Sequence, residues 1–297
     1  MSASWLMVLA SFLFATMGVC VKLASADYSP GEIMFYRGVT GAVLMALLAR
    51  SRGLSLKTTV PATHFWRSLS GVIAMFLWFY ALGKLPVATA MTLNYMSSVW
   101  MALFLIGGAA MLGSARVDGR LVATVLLGFG GVALILRPTI EHDQLWHGLM
   151  GLLSGMISAT AYLQVAALAR AGEPELRIVF YFSIGGAVFG ALTTLWSGIH
   201  AHTLKGVALL LAVGLLATAA QLMMTRAYAT GRALVNASLQ YLGIAFSFGY
   251  GVLLFNDKVT WMAMGGMLLI VCAGLSATLL RSRSAAPPDT ANAPLET

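Results

Sequence analysis

IMFYRGVTGAV, residues 33–43, and IVFYFSIGGAV, residues 178–188, are identical at six of eleven positions. Farther along, ALGKLPVATAMTLNY (81–95) lies over AYATGRALVNASLQY (227–241), with fewer matches but with Asn94-Tyr95 falling on Gln240-Tyr241. The two offsets, 145 and 146, agree. One apolar match can arise by chance; two at one offset are far less expected. The chain reads as one unit used twice, and composition says what the unit is.

Of 297 residues, 59% are hydrophobic and 9% charged, where a soluble domain carries about a quarter charged residues. The charges bunch in short clusters such as RSRGLSLK, SARVDGR and RAGEPELR. Between them run apolar stretches of about 20 residues, each long enough at ~1.5 Å per residue to cross a ~30 Å hydrocarbon core. Spans are expected near 5–24, 30–49, 66–84, 88–112, 119–137, 147–169, 177–197, 205–228, 233–255 and 260–280. The fold class is therefore all-α integral membrane, with ten transmembrane helices. Five spans per unit is an odd number, so the copies insert in opposite senses, the inverted repeat on which many secondary transporters are built. The first repeat is expected over 1–140 and the second over 141–280, with a Pro- and Ala-rich tail, 281–297, disordered in the cytoplasm.

Of the 18 Lys and Arg residues, Lys22, Arg37, Lys84, Arg137, Lys205 and Lys258 fall on one side of this topology and twelve, Arg67 among them, on the other. The positive-inside rule then places both termini in the cytoplasm, with the chain in a bacterial inner membrane. Loop cations of this kind also explain the net charge of +8 without a nucleic-acid partner. Cys20 and Cys272 fall within apolar spans and are expected to pack as small hydrophobes. Ala24-Ser25-Ala26 has the form of a signal-peptide cleavage site, but no Lys or Arg precedes Lys22, and the segment is expected to stay as a span.

FYALGKLPVATAMTLNYMSSVWMALF followed by VLLGFGGVALILRP resembles the first EamA-type repeat of the drug/metabolite transporter superfamily. RAYATGRALVNASLQYLGIAFSFGYGVLLFNDKVTW followed by GGMLLIVCAGL resembles the second. The likeness covers nearly the whole chain up to the tail and implies a ten-helix transporter. Its members include amino acid and metabolite exporters and importers of riboflavin or S-adenosylmethionine. They often carry Pro where Ser98 and Ile244 stand, and Glu where Ser114 and Asp257 stand, so here only the second copy keeps an acid.

Within ATAMTLNYMSSVW (88–100), residues three and four apart share a helix face, which groups Asn94 with Ala90, Ser97, Ser98 and Met101. Asn236, Gln240, Gly243 and Ser247 form the matching stripe. Asn94 stands eight residues past Pro86, about 12 Å into its span. Gln240 is about as deep from the other face, and inversion brings both amides to the midplane, where such folds bind substrate. Tyr95, Ser98 and Tyr241 flank them; Gln221 with Thr218, Thr225 and Tyr228, and Tyr162 with Ser154 and Ser158, form two further stripes, and Trp78 offers stacking surface. The competing reading of every such group is interhelical glue, each hydrogen bond contributing about 0.6–2 kcal/mol. It is favoured for Ser97, Ser98, Ser154 and Ser158. Gly151-xxx-Gly155 and Gly186-xxx-Gly190 signal close helix packing. Trp5, Trp66, Trp146 and Trp261 at span ends read as an interfacial belt.

Arg37 is the one charge well inside a span, seven residues past Pro30. It requires either a partner, Glu32 or Asp27, or an aqueous cavity and a substrate carboxylate. Lys22 and Arg137 read as snorkelling cations. Glu141, His142, Asp143, His147, His200 and His202 lack a fixed ligand spacing, and no metal or cofactor is expected. G-x-x-x-x-G-K-[ST], H-E-x-x-H and G-x-S-x-G are absent, so neither P-loop hydrolysis nor the common hydrolase chemistries are encoded. No Asp or Glu stands mid-span for a proton relay, although a proton step through Glu32 stays open. The sequence thus predicts a non-enzymatic inner-membrane secondary transporter of a small polar metabolite, working by alternating access. An exporter of amino acids or related solutes is favoured over an importer of a vitamin or nucleoside-like molecule, with a channel or intramembrane enzyme as remote alternatives. Its partners are that solute and the bilayer; a homodimer stays open.

Overall fold

The computed structural model describes residues 2–97, 99–101, 103, 104, 107, 120, 123, 126–128, 130, 131, 134, 144–230, 239–257 and 260–284, the side chains of 274 and 277–284 excepted. Among the described residues all regular structure is helical: α1 (Ala3–Ala24), α2 (Pro30–Ser51), α3 (Pro61–Lys84), α4 (Val87–Tyr95), α5 (Gln144–Arg170), α6 (Glu175–Ser197), α7 (Leu204–Thr230), α8 (Leu242–Phe255) and α9 (Trp261–Ser284). Six of these, α1–α3 and α5–α7, are long and apolar enough to cross a membrane, and α8 and the first part of α9 are shorter apolar helices. The fifth expected span, 119–137, falls largely outside the described residues, as does the tail beyond Ser284.

Local chemistry sets the helix ends. Ser29 caps α2 in a full capping box: its hydroxyl accepts the Glu32 N–H while the Glu32 carboxylate accepts the Ser29 N–H, with Pro30 supplying the first helical φ. Pro61 likewise starts α3, five residues before the position expected from hydropathy, because the first turn is polar but already helical. Asn256, at φ 51°, turns the chain out of α8 in the left-handed region. Trp5, Trp66, Trp146 and Trp261 are all exposed.

Helix α2 packs along α6, α1 along α7 and α3 along α5; α4 meets α5 and α8, and α8 also meets α1. The α2–α6 crossing is close enough to demand glycine. A Cβ on Gly38 would strike the Ala187 backbone nitrogen and the Ser183 carbonyl, and one on Gly190 would strike the backbone of Phe35. Small residues replace the hydrophobic effect as the means of joining helices in lipid, because they let dispersion contacts form between backbones. Cys20 is half-buried, but Cys272 is exposed rather than packed inside, since it faces outward from α9.

Candidate functional site

Helix α4 stops at Tyr95 in mid-protein. Met96 donates its N–H to Leu93 O at 3.3 Å, a tightened i→i−3 turn, and the chain is helical again at Ser97. Tyr241 marks a matching turn before α8, with the Ile244 N–H on its carbonyl at 3.0 Å. Neither turn needs proline. Interrupted helices at this depth are tolerated where they border a cavity or are buried in protein, and here they do border one.

The cavity is small, about 70 Å³. Arg37, Trp78, Asn94, Tyr95, Tyr162, Gln221 and Gln240 all line it, with Arg67, Ser158 and Phe182. These are seven of the nine side chains picked out from the sequence, and they come from α2, α3, α4, α5, α7 and the turn before α8. Tyr241 is buried behind the lining, its ring edge-on to Tyr95 with centroids 6.4 Å apart. Ser98 and Asn236 lie outside the described residues.

The polar stripes divide between packing and cavity. Asn94 donates its amide N–H groups to Ser154 Oγ at 3.0 Å and Ser158 Oγ at 3.4 Å, tying α4 to α5. Tyr228 donates to Gln240 Oε1 at 3.3 Å. Thr218 and Thr225 bond to carbonyls one turn back in their own helix, so their hydroxyls are already engaged. Trp78 Nε1 and Tyr95 OH, by contrast, are buried at the cavity with no hydrogen-bond partner among the described residues.

Arg37 does not use either acid proposed for it. Glu32 is taken by the Ser29 N–H at 3.0 Å, the His200 N–H at 2.8 Å and His200 Nδ1 at 2.6 Å, and Asp27 is exposed. The guanidinium instead stands over the Phe182 ring at 5.0 Å and lines the cavity. Arg67, counted above with the cytoplasmic cations, is buried within α3: it is 3% exposed, and its guanidinium lies 4.3 Å over the same ring. Gly71, one turn on, makes room for it, since a Cβ there would collide with Arg67 Nη1. Arg67, Gly71, Met75 and Trp78 form one face of α3, all lining the cavity; tracing that face back from Trp78 would have found the arginine. Lys22 Nζ donates to the Leu85 carbonyl at 2.6 Å, at the C-terminal end of α3. Arg137 is outside the described residues, as are Glu141, His142 and Asp143; among the described residues no three metal-ligating side chains gather.

Among the described residues no carboxylate or thiol lines the cavity. Its walls offer hydrogen-bonding amides and hydroxyls, aromatic faces and positive charge. Comparison with known proteins agrees with a role in binding and passage. Residues 1–137 match the EamA-like transporter family. The pseudopaline exporter CntI of Pseudomonas aeruginosa strain UCBPP-PA14 is 33% identical over 276 residues, covering 92% of this chain and 95% of that one. The chain belongs to the EamA-like transporter family. A riboflavin transporter from Rhizobium johnstonii is 26% identical over 92% of this chain and 89% of its own. A crystal structure with 19% identity superposes with a TM-score of 0.65 over 96% of this chain and 99% of the other, which is a likeness of fold. The protein is a multi-pass membrane transporter.

Proposed function

We propose that the protein exports a small polar metabolite across the bacterial inner membrane by alternating access between two inverted repeats, 1–140 and 141–280, with both termini cytoplasmic. The observation that carries this reading is a set of self-matched contacts at the cavity. Arg37 and Phe182 share a register at offset 145, as do Tyr95 and Tyr241 at offset 146, and both pairs touch. Residues exchanged by a two-fold axis can touch only close to that axis. The helix contacts support the same exchange: α1 on α7 answers α3 on α5, and α8 on α1 answers α4 on α5. Transporters with inverted repeats bind substrate where the repeats meet. Asn94, Gln240, Gln221, Tyr162, Trp78, Tyr95 and Arg37 are the substrate-contacting set, with Tyr241 beside them and Ser98 added on its place in the sequence alone. Export, rather than uptake, follows the likeness to the pseudopaline exporter.

The test compares metabolites inside and outside cells that express the chain with cells that lack it. Export predicts a solute that accumulates inside and falls outside when the chain is removed. The reverse pattern would support the uptake reading, which the likeness to the riboflavin transporter keeps in view. An unchanged distribution of every solute would overturn both.

A further inference from the structure

Two guanidiniums share one aromatic ring inside the cavity. Arg37 and Arg67 are 5% and 3% exposed, and they stand 5.0 and 4.3 Å from the Phe182 centroid. Arg37 Nε and Arg67 Nε and Nη1 are buried without a hydrogen-bond partner among the described residues. Neither residue takes part in the ion pairs found among the described residues, which join His64 and Arg177 to Glu173 and His200 to Glu32. Burying one charge at membrane depth is costly and normally requires a counter-charge. Two like charges around one ring make that need greater, and cation–π attraction, about 2 kcal/mol when desolvated, is a weak substitute for an anion.

The remaining unpartnered polar atoms at the cavity have the same sense. Trp78 Nε1 can only donate, and the Tyr95 hydroxyl has a proton to give. Among these buried unpartnered atoms, donors outnumber acceptors. A zwitterion with one carboxylate would satisfy one guanidinium, bring in a third cation and leave the other arginine uncompensated. A solute with two carboxylates would satisfy both.

Resting on the transporter reading above, we infer that the substrate class is an anionic metabolite with at least two carboxylates, one received by Arg37 and one by Arg67, with Phe182 as the spacer between them. Arginine suits this task because its planar fork matches a carboxylate with two parallel hydrogen bonds. Both forks stand over Phe182, which comes from the second repeat, so the two arginines of the first repeat meet the second at this ring.

The test measures binding to the purified full-length protein by thermal stabilisation and by the fluorescence of its tryptophans. The probes are glutarate and L-glutamate against their one-carboxylate counterparts butyrate and L-glutamine, at fixed ionic strength. The two-carboxylate probes should bind about tenfold or more tightly than their counterparts, the loss expected when one charge-assisted contact is missing. Arg37→Gln and Arg67→Gln should each abolish that preference while leaving weak binding of the one-carboxylate acids. Should either variant fail to fold, Arg37→Lys and Arg67→Lys keep the charge and should reduce the preference without erasing it. Equal binding of glutamate and glutamine, binding of neither dicarboxylate at millimolar concentration, or full preference in the variants would overturn the inference. Proteoliposome flux separates it from the reading it rests on. Saturable passage of L-glutamine equal to that of L-glutamate sinks the dicarboxylate class and keeps transport. Preferential binding of glutarate without flux of any probe keeps the site and sinks transport.

Discussion

Arg37 and Phe182 occupy the same position in the two sequence repeats, and the guanidinium of one lies 5.0 Å over the ring of the other. The equivalence has been broken in chemistry while kept in space, with a cation from α2 and an aromatic from α6. The first expected outcome follows. Arg37→Ala should cripple transport at matched expression, and Arg37→Lys should restore it only in part, because an ammonium lacks the planar fork. Solute flux in proteoliposomes is the measurement, and normal flux in Arg37→Ala would show that the charge is merely accommodated.

The α2–α6 crossing makes a prediction about stability alone. At Gly38 a new Cβ meets backbone atoms of Ala187 and Ser183, which cannot swing aside as a side chain can. Gly38→Ala should lower stability by about 1–3 kcal/mol through overpacking. Gly265→Ala is the control: among the described residues no atom lies within 4 Å of a Cβ placed there, and alanine improves on glycine in a helix by up to ~1 kcal/mol. Thermal melts in one detergent should therefore move in opposite directions. A neutral Gly38→Ala would mean that the crossing is looser than described.

Much of this was legible beforehand, for a physical reason. Helical periodicity and depth place a polar residue on a face and at a height, and for Asn94, Gln240, Gln221, Tyr162, Trp78, Tyr95 and Arg37 that led to the one cavity. Arg67 escaped because hydropathy treats a charge near a span end as loop, whereas α3 begins at Pro61 and carries Arg67 a further turn and a half into the protein. The turns at Met96 and Tyr241 escaped because the family's proline signal is missing there. Partner choice escaped too. Glu32 is near Arg37 in sequence, but its carboxylate is committed to the α2 cap and to His200, a residue 168 positions away.

At one end of the helices Glu173, between α5 and α6, binds His64 Nε2 at 3.1 Å, Arg177 Nη1 at 3.0 Å and the Thr58 hydroxyl at 2.9 Å. Burial pushes its carboxyl up, but the hydrogen bonds from His64, Thr58 and Arg177 with the Arg177 charge outweigh burial and hold it below its ordinary value. A carboxylate lowered on folding adds stability above its unfolded value, near ~4.3, and loses it as pH falls through the folded one. Glu173→Gln should thus destabilise the protein at neutral pH, by about 1–3 kcal/mol for a buried polar group left imperfectly paired. The difference from the wild type should shrink on acidification below the ordinary carboxylate range. Melting temperature against pH for the two proteins is the check, and a gap that stays constant to low pH would assign the effect to packing.

Asn94 supports the sharpest separation of cavity from glue. Its amide donates to Ser154 and Ser158 and also lines the cavity, so removing it should have two consequences. Asn94→Leu loses the α4–α5 bonds, each worth about 0.5–1.5 kcal/mol net, and deprives a substrate group of its partner at a cost of about 1–3 kcal/mol. At 1.4 kcal/mol per tenfold, the second cost weakens binding up to roughly a hundredfold. Ser154→Ala loses the Asn94 bond between helices and the Ser154 bond to the Gly151 carbonyl at 2.6 Å, but no cavity contact, because Ser154 is buried away from the lining. Gln240→Leu probes the other side, where Tyr228 holds the amide oxygen at 3.3 Å. Melting temperature and substrate affinity are measured for all three variants side by side. Ser154→Ala should lower the melting temperature with affinity unchanged, whereas Asn94→Leu and Gln240→Leu should lower both. If Asn94→Leu instead matches Ser154→Ala in both measurements, its amide is a helix fastener and the substrate's partner must be sought among Gln221, Tyr162 and the two arginines.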